Sequence, residues 1–228
     1  PLSSRARDLH GHMGCGDDPI PIRRQEDRLA MARLGAESHR LGFQDCIYRS
    51  DPARGEWLYP GMDDVFGPVD PRDEPLVRAI ADAAEALCHG MPTPVFYTPL
   101  GIGNHVDHQL THRAGCLLFE RGEAVTFYED YPYTDPAHSS NADGKSPYPL
   151  QAAISAMAIR GATEVLSPLN ESDLQARVDS MCAYRSQLGD LPDAAQVIGR
   201  HLRENVLRAD PPRMTERFWR IEKKNSAD

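Results

Sequence analysis

Val95-Phe-Tyr-Thr-Pro-Leu-Gly-Ile-Gly-Asn-His-Val-Asp-His108 joins a short run of β-branched and aromatic residues to a helical pattern through a turn rich in proline and glycine. Val95-Phe-Tyr-Thr98 reads as a buried strand, because such side chains pack well on a pleated surface. Pro99, Gly101 and Gly103 then force the chain to turn. The spacing of Leu110, Ala114, Leu117 and Leu118 predicts a helix over 106–120. His105, Asp107 and His108 therefore fall in its first turn, beside the end of a strand, where open α/β sheets collect ligands. A metal or an anion suits that place.

Working outward, the same alternation recurs. Ile22, Leu29, Ala30, Ala32 and Leu34 predict a helix over 22–34 that Gly35 stops. A weak strand over 39–43 ends near Asp45, and a loop rich in proline and glycine covers 51–70. The apolar face of Leu76, Ile80, Ala83, Ala84 and Leu87 predicts a helix over 74–89. Strands follow over 124–128 and 163–166, and helices over 172–187 and 194–207. The polar opening, 8–18, reads as loop, and 131–148 is long enough to form a rim or lid. Such βα alternation implies an α/β fold with a mostly parallel sheet and helices on both faces. One domain over 1–220 accounts for the pattern, with a frayed tail at 221–228.

Composition narrows the function. The 228 residues are 40% hydrophobic and 26% charged, as expected of a chain that buries a core. A net charge of −9 disfavours nucleic acid, whose binding needs clustered Lys and Arg. A neutral or cationic small molecule is the better partner. The five cysteines contain no Cys-x-x-Cys pair, which argues against a disulfide framework and against a thiolate zinc site. A reducing, cytoplasmic setting is the default. No apolar run approaches the roughly 18 residues that span a bilayer, so no membrane role is expected.

His105 and His108 lie three apart and can share a face of one helical turn, with Asp107 able to hold an imidazole in one tautomer. Alternatively, Asp107 caps the helix and the histidines are solvated. His108 and His112 have the spacing of zinc proteases, but Gln109 stands where that motif needs its catalytic Glu. His112 is expected to be an exposed helix residue. A second cluster, Phe127-Tyr-Glu-Asp-Tyr-Pro-Tyr133, sets Glu129 and Asp130 just after a strand. These carboxylates suit either a ligand histidine or the hydroxyls of a sugar. Asp45 and Arg23 are two further candidates at element ends.

Taken together, Arg23-x-x-Glu26-x-x-x-Ala30-x-x-x-Leu34-Gly35, Asp45, Gly103-Asn-His-Val-Asp-His108, Tyr128-Glu-Asp-Tyr-Pro-Tyr133 and Tyr184-Arg-Ser-Gln187 resemble the PIG-L/LmbE-like zinc-dependent N-acetylglucosaminyl deacetylases. The resemblance runs over about residues 1 to 190. It implies a Rossmann-like, doubly wound fold and zinc-dependent hydrolysis of an N-acetyl group from an amino sugar or its conjugate. It makes His108 a zinc ligand, His105 the group that polarises the oxyanion or protonates the leaving amine, and Asp107 the residue that orients a histidine. Arg23, Asp45, Glu129 and Asp130 would contact substrate. The family's His-x-Asp-Asp motif, which supplies the other ligands of the single zinc ion and the carboxylate base, is not found. A first βα unit carrying it is therefore expected upstream of Pro1, and the fragment is expected to be inactive or impaired. A non-catalytic sugar-binding or scaffold protein of the same fold is the alternative.

Overall fold

The computed structural model describes residues 2–14, 16, 18–134, 152–153, 155–156, 161–189, 191–208 and 213–221. In chain order its elements are α1 (Ser4–Met13), α2 (Ile20–Arg33), a 3₁₀ turn (Cys46–Tyr48), β1 (Ser50–Asp51), β2 (Glu56–Trp57), α3 (Met62–Val65) and a second 3₁₀ turn (Pro71–Asp73). There follow α4 (Glu74–Leu87), β3 (Val95–Pro99), α5 (Val106–Arg121), β4 (Ala124–Tyr128) and β5 (Ala162–Pro168). The chain closes with α6 (Glu171–Met181), α7 (Arg185–Leu188), α8 (Ala194–Val206), β6 (Leu207–Arg208) and β7 (Arg213–Ile221). Residues group into two compact units, 1–61 with 168–216 and 62–167 with 217–228.

The first unit is largely helical. Its opening is α1 and not the loop expected over 8–18, since Ser3 caps the helix by accepting from the Ala6 N–H, and Ala6, His10 and Met13 recur on one buried face. Gly11 and Gly14 obscure that period in the sequence. Helix α2 packs on α6 and α7, and α6 packs on α8, whose Ile198, Leu202 and Val206 are buried at helical spacing. Buried Glu26 ties α2 to α7 by accepting from the Ser186 N–H at 2.8 Å and the Ser186 hydroxyl at 2.5 Å. The strand expected over 39–43 is irregular chain, with Gly42 at a φ of 81°. The loop expected over 51–70 contains the β1–β2 hairpin and α3. The helix expected over 172–187 breaks after Met181 and resumes at Arg185.

The second unit carries the sheet. Strands β3 and β4 pair in parallel from Val95↔Ala124 to Pro99↔Tyr128, with α5 as the crossover. Strand order is β3-β4-β7-β5, and β7 lies antiparallel to β4, pairing Phe127 with Trp219. The α/β expectation holds, but the sheet is mixed and not mostly parallel, because the closing strand returns against β4. Leu100, Ile102, Ala114, Leu118, Val125, Phe127 and Trp219 form its core, and α4 lies against α5. The tail expected to fray at 221–228 lies, beyond Ile221, outside the described residues, as does most of the loop at 131–148. Among the described residues no helix is long and apolar enough to cross a membrane.

Candidate functional site

Two clusters carry chemistry, one in each unit. In the sheet unit, the β3–α5 turn is built as the sequence implied. Gly103 takes a φ of 85°, and a Cβ there would stand 2.5 Å from the Tyr133 ring, so only glycine lets this turn approach the 131–134 segment. Asn104, also at positive φ, donates from Nδ2 to the Phe66 carbonyl at 2.7 Å. Gln109 donates to the Gly67 and Asn104 carbonyls and fixes the same turn. Val106, Leu110, Ala114 and Leu118 form the buried stripe of α5, so its first turn is positioned by the core.

His105 is the N-cap of α5, a role that the sequence offered to Asp107 as the alternative to orienting a histidine. Its Nδ1 accepts the Asp107 backbone N–H at 3.2 Å. In the neutral ring the proton must then sit on Nε2, which makes that nitrogen a donor. His108 has the opposite arrangement. Its Nδ1 lies 2.6 Å from Asp130 Oδ1, and because an ionised carboxylate only accepts, Nδ1 carries the proton and Nε2 keeps a lone pair. Two histidines one helical turn apart, with ring centroids 5.3 Å apart, thus present complementary nitrogens. Tyr133 and Phe66 pack edge-on against them and limit their rotation.

Asp130 and Glu129, expected at the substrate, are placed otherwise. The Asp130 side chain is 0% exposed, with Oδ2 accepting the Ile102 N–H at 3.1 Å and Oδ1 on His108. Burial of the neighbouring Tyr128 phenol, followed by the Asp130 charge, pushes it up to about 12. Glu129 is only 7% exposed and forms an ion pair with Arg217, which also lies 3.7 Å from Glu164. Both carboxylates are therefore consumed within the fold. The carboxylate that holds His108 is that of Asp130 and not Asp107, which occupies the first turn of α5. His112 is not a plain surface residue either, since its Nδ1 donates to the Pro99 carbonyl at 3.0 Å and ties α5 to β3.

In the helical unit, Arg23 on α2 meets Asp45 at 3.5 Å. Asp45 is no strand end. It caps the Cys46–Tyr48 turn by accepting the Ile47 N–H. The pair lines a cavity of about 1030 Å³ that Tyr48, Trp57, Asp27 and Tyr184 also line. That volume is at the upper end for small-molecule sites and exceeds what one sugar ring fills. Asp27 gathers the hydroxyls of Tyr184, at 3.1 Å, and Ser38, and lies 3.3 Å from Arg40. Burial, followed by the Asp27 charge, pushes the Tyr184 phenol up to about 12, which keeps it a donor at neutral pH. The Asp27, Tyr48 and Trp57 contributions were missed in the sequence. Only Tyr184 had been flagged, through the Tyr-Arg-Ser-Gln segment.

No family model matches the chain. It is 32% identical over 126 residues to a 2'-N-acetylparomamine deacetylase of Niallia circulans, covering 55% of this chain and 45% of that protein. A protein of the same name from Streptomyces fradiae is 36% identical over 118 residues, covering 50% and 38%. Each match therefore spans less than half the length of the curated relative. Among solved structures, the zinc-inhibited form of teicoplanin deacetylase Orf2 aligns with a TM-score of 0.72 at 23% identity, over 100% of this chain and 84% of that one. The A40926 pseudoaglycone deacetylase Dbv21 aligns with a TM-score of 0.67 at 25% identity, over 98% and 81%. The deacetylase names of the two sequence relatives agree with the resemblance carried by the motifs, and the structural likeness bears out the α/β fold.

Proposed function

We propose, from the chain's kinship with the PIG-L/LmbE-like deacetylases, that it is a metal-dependent hydrolase removing the N-acetyl group from an N-acetylglucosamine-type amino sugar or conjugate. The observation that carries this reading is that His105 Nδ1 faces a backbone N–H while His108 Nδ1 faces the buried Asp130 carboxylate, so the two rings present opposite nitrogens. His108, its ring held by buried Asp130, has the carboxylate–histidine arrangement that metal-ligating imidazoles use, and we assign it as one protein ligand of a zinc ion. When bound, zinc supplies Lewis-acid polarisation of the acyl oxygen and acidifies water toward a pKa of about 7.

The chain's own residues supply the rest. His105 Nε2–H donates to the oxygen that becomes negative as the acetamide carbonyl is attacked, a contribution typically worth about 2.7 to 4 kcal/mol. Asp107, in the same helical turn, orients His105 by donating its backbone N–H to Nδ1, which leaves Nε2–H as the group that can pass a proton to the leaving amine. Asp130 does not move a proton. It keeps the His108 proton on Nδ1 and the ring at a fixed angle. Arg23 donates to sugar oxygens and Asp45 accepts from sugar hydroxyls, which is the division of labour their charges require.

The test is acetate release. The natural full-length protein, supplemented with zinc and incubated with N-acetylglucosamine and with N-acetylated amino-sugar conjugates, should liberate acetate and a free amine in equal amounts, and a chelator should stop it. Binding of these sugars without any acetate, at every zinc concentration tried, would replace the enzyme with a sugar-binding protein of the same fold.

A further inference from the structure

His10 and Tyr48 line the same cavity as Arg23 and Asp45. His10 is 6% exposed, with Nε2 2.8 Å from the Tyr48 hydroxyl and Nδ1 buried without any hydrogen-bond partner. That orphaned nitrogen decides the direction of the bond. A buried N–H with no acceptor is rarer and costlier than a buried lone pair, so the His10 proton sits on Nε2 and is donated to Tyr48 Oη. Among the described residues Tyr48 has no other hydrogen-bond partner, so its own O–H hydrogen points away from His10. Its ring lies tilted at 56° to the His10 ring, with centroids 5.8 Å apart.

We propose that Tyr48 is a hydrogen-bond donor to an oxygen of the bound amino sugar, aimed by His10 as a positioning residue, and that it works beside the Arg23–Asp45 pair. This rests on the reading of the cavity as the sugar site. The phenol is suited to the task at neutral pH, because burial and then the Asp45 charge hold its pKa above the ordinary value. Arg23 and Asp45 offer one cation and one anion, and a neutral sugar presents neither. A neutral donor held at a fixed angle adds selectivity for the position of one oxygen, which two charged and flexible groups do not supply.

Calorimetric titration with N-acetylglucosamine and a set of its monodeoxy analogues tests this. Tyr48→Phe keeps the ring and removes the donor, and should weaken N-acetylglucosamine binding about two- to tenfold, the range of one neutral hydrogen bond. One analogue should bind the unaltered protein that much more weakly and be indifferent to Tyr48→Phe. His10→Gln should weaken binding when Tyr48 is present and have no effect in the Tyr48→Phe background, as a residue acting only through Tyr48 must. Equal affinity in the unaltered and Tyr48→Phe proteins, or a deficit that persists on every analogue, would overturn the donor role. Sugar binding with the expected pattern but no acetate release would count against the deacetylase reading alone. No binding of N-acetylglucosamine at all would overturn both.

Discussion

Replacing Asp130 separates what holds the fold from what readies His108. The carboxylate is wholly buried and accepts two bonds, from the Ile102 N–H at 3.1 Å and from His108 Nδ1–H at 2.6 Å. Asp130→Ala removes both acceptors. It leaves the N–H of fully buried Ile102 unpaired, which costs about 1–3 kcal/mol, and it frees the His108 ring. Asp130→Asn behaves differently. Its amide oxygen still serves Ile102, but its NH₂ now faces His108 and is satisfied only if Nδ1 gives up its proton. The proton moves to Nε2, and the lone pair assigned to zinc is lost. The expectation is a stability loss of about 1 kcal/mol for Asn against about 3 kcal/mol for Ala. Zinc affinity should fall about 10- to 100-fold in both. Denaturant unfolding gives the first quantity, and zinc titration against a competing chelator the second. An Asn variant that binds zinc as tightly as the unaltered protein would refute the tautomer assignment.

Three further outcomes are expected. Arg23→Ala and Asp45→Ala should each lower kcat/KM by about 10- to 100-fold, the range for a charged hydrogen bond, with zinc content unchanged. Loss of zinc in either would move that residue from substrate to metal. Tyr184 titrates near 12 in the folded chain against an ordinary value of 10.0, so its neutral form favours folding. That contribution is complete below pH 10 and is lost as pH rises from 10 towards 12, and Tyr184→Phe should flatten the stability curve in that window. Parallel curves for the two proteins would remove the effect. Gly115→Ala would set a Cβ 2.4 Å from Thr98 Cγ2, where α5 crosses β3, and should cost about 1–3 kcal/mol. Thr98→Ser, which deletes that methyl, should restore part of the loss, and no cost in the single variant would mean the two elements can separate freely.

What the sequence made legible is local. The apolar period of α5, the turn residues before it and the strands on either side are each written in a run of neighbours, so the β3–α5–β4 unit and its histidine pair could be read directly. Partnerships over long separations could not. Glu129 and Asp130 look like substrate carboxylates until Arg217, 88 residues away, and the Ile102 backbone claim them. Strand β7 was not anticipated because Arg213, Glu216, Arg217 and Arg220 break its apolar alternation. The structure tolerates them by pairing Arg217 with Glu129 and Glu216 with Arg177, while Trp219 and Ile221 supply the buried face. The segment over 39–43 failed for the opposite reason, since it has some strand character but pairs with no strand among the described residues. His10 and Tyr48 carry no motif, and only a buried nitrogen without a partner singles them out.

The division of labour between the two histidines is the central claim, and one experiment reaches it. Bound zinc and acetate release are measured on the same preparations of the natural full-length protein and its His105→Ala and His108→Ala variants, with an N-acetylglucosamine conjugate as substrate. His105→Ala should keep its zinc and lose about 100- to 1000-fold in turnover, the usual effect of removing an oxyanion donor. His108→Ala should lose both together. Equal zinc in the unaltered protein and His108→Ala, or zinc lost from His105→Ala, would contradict the account.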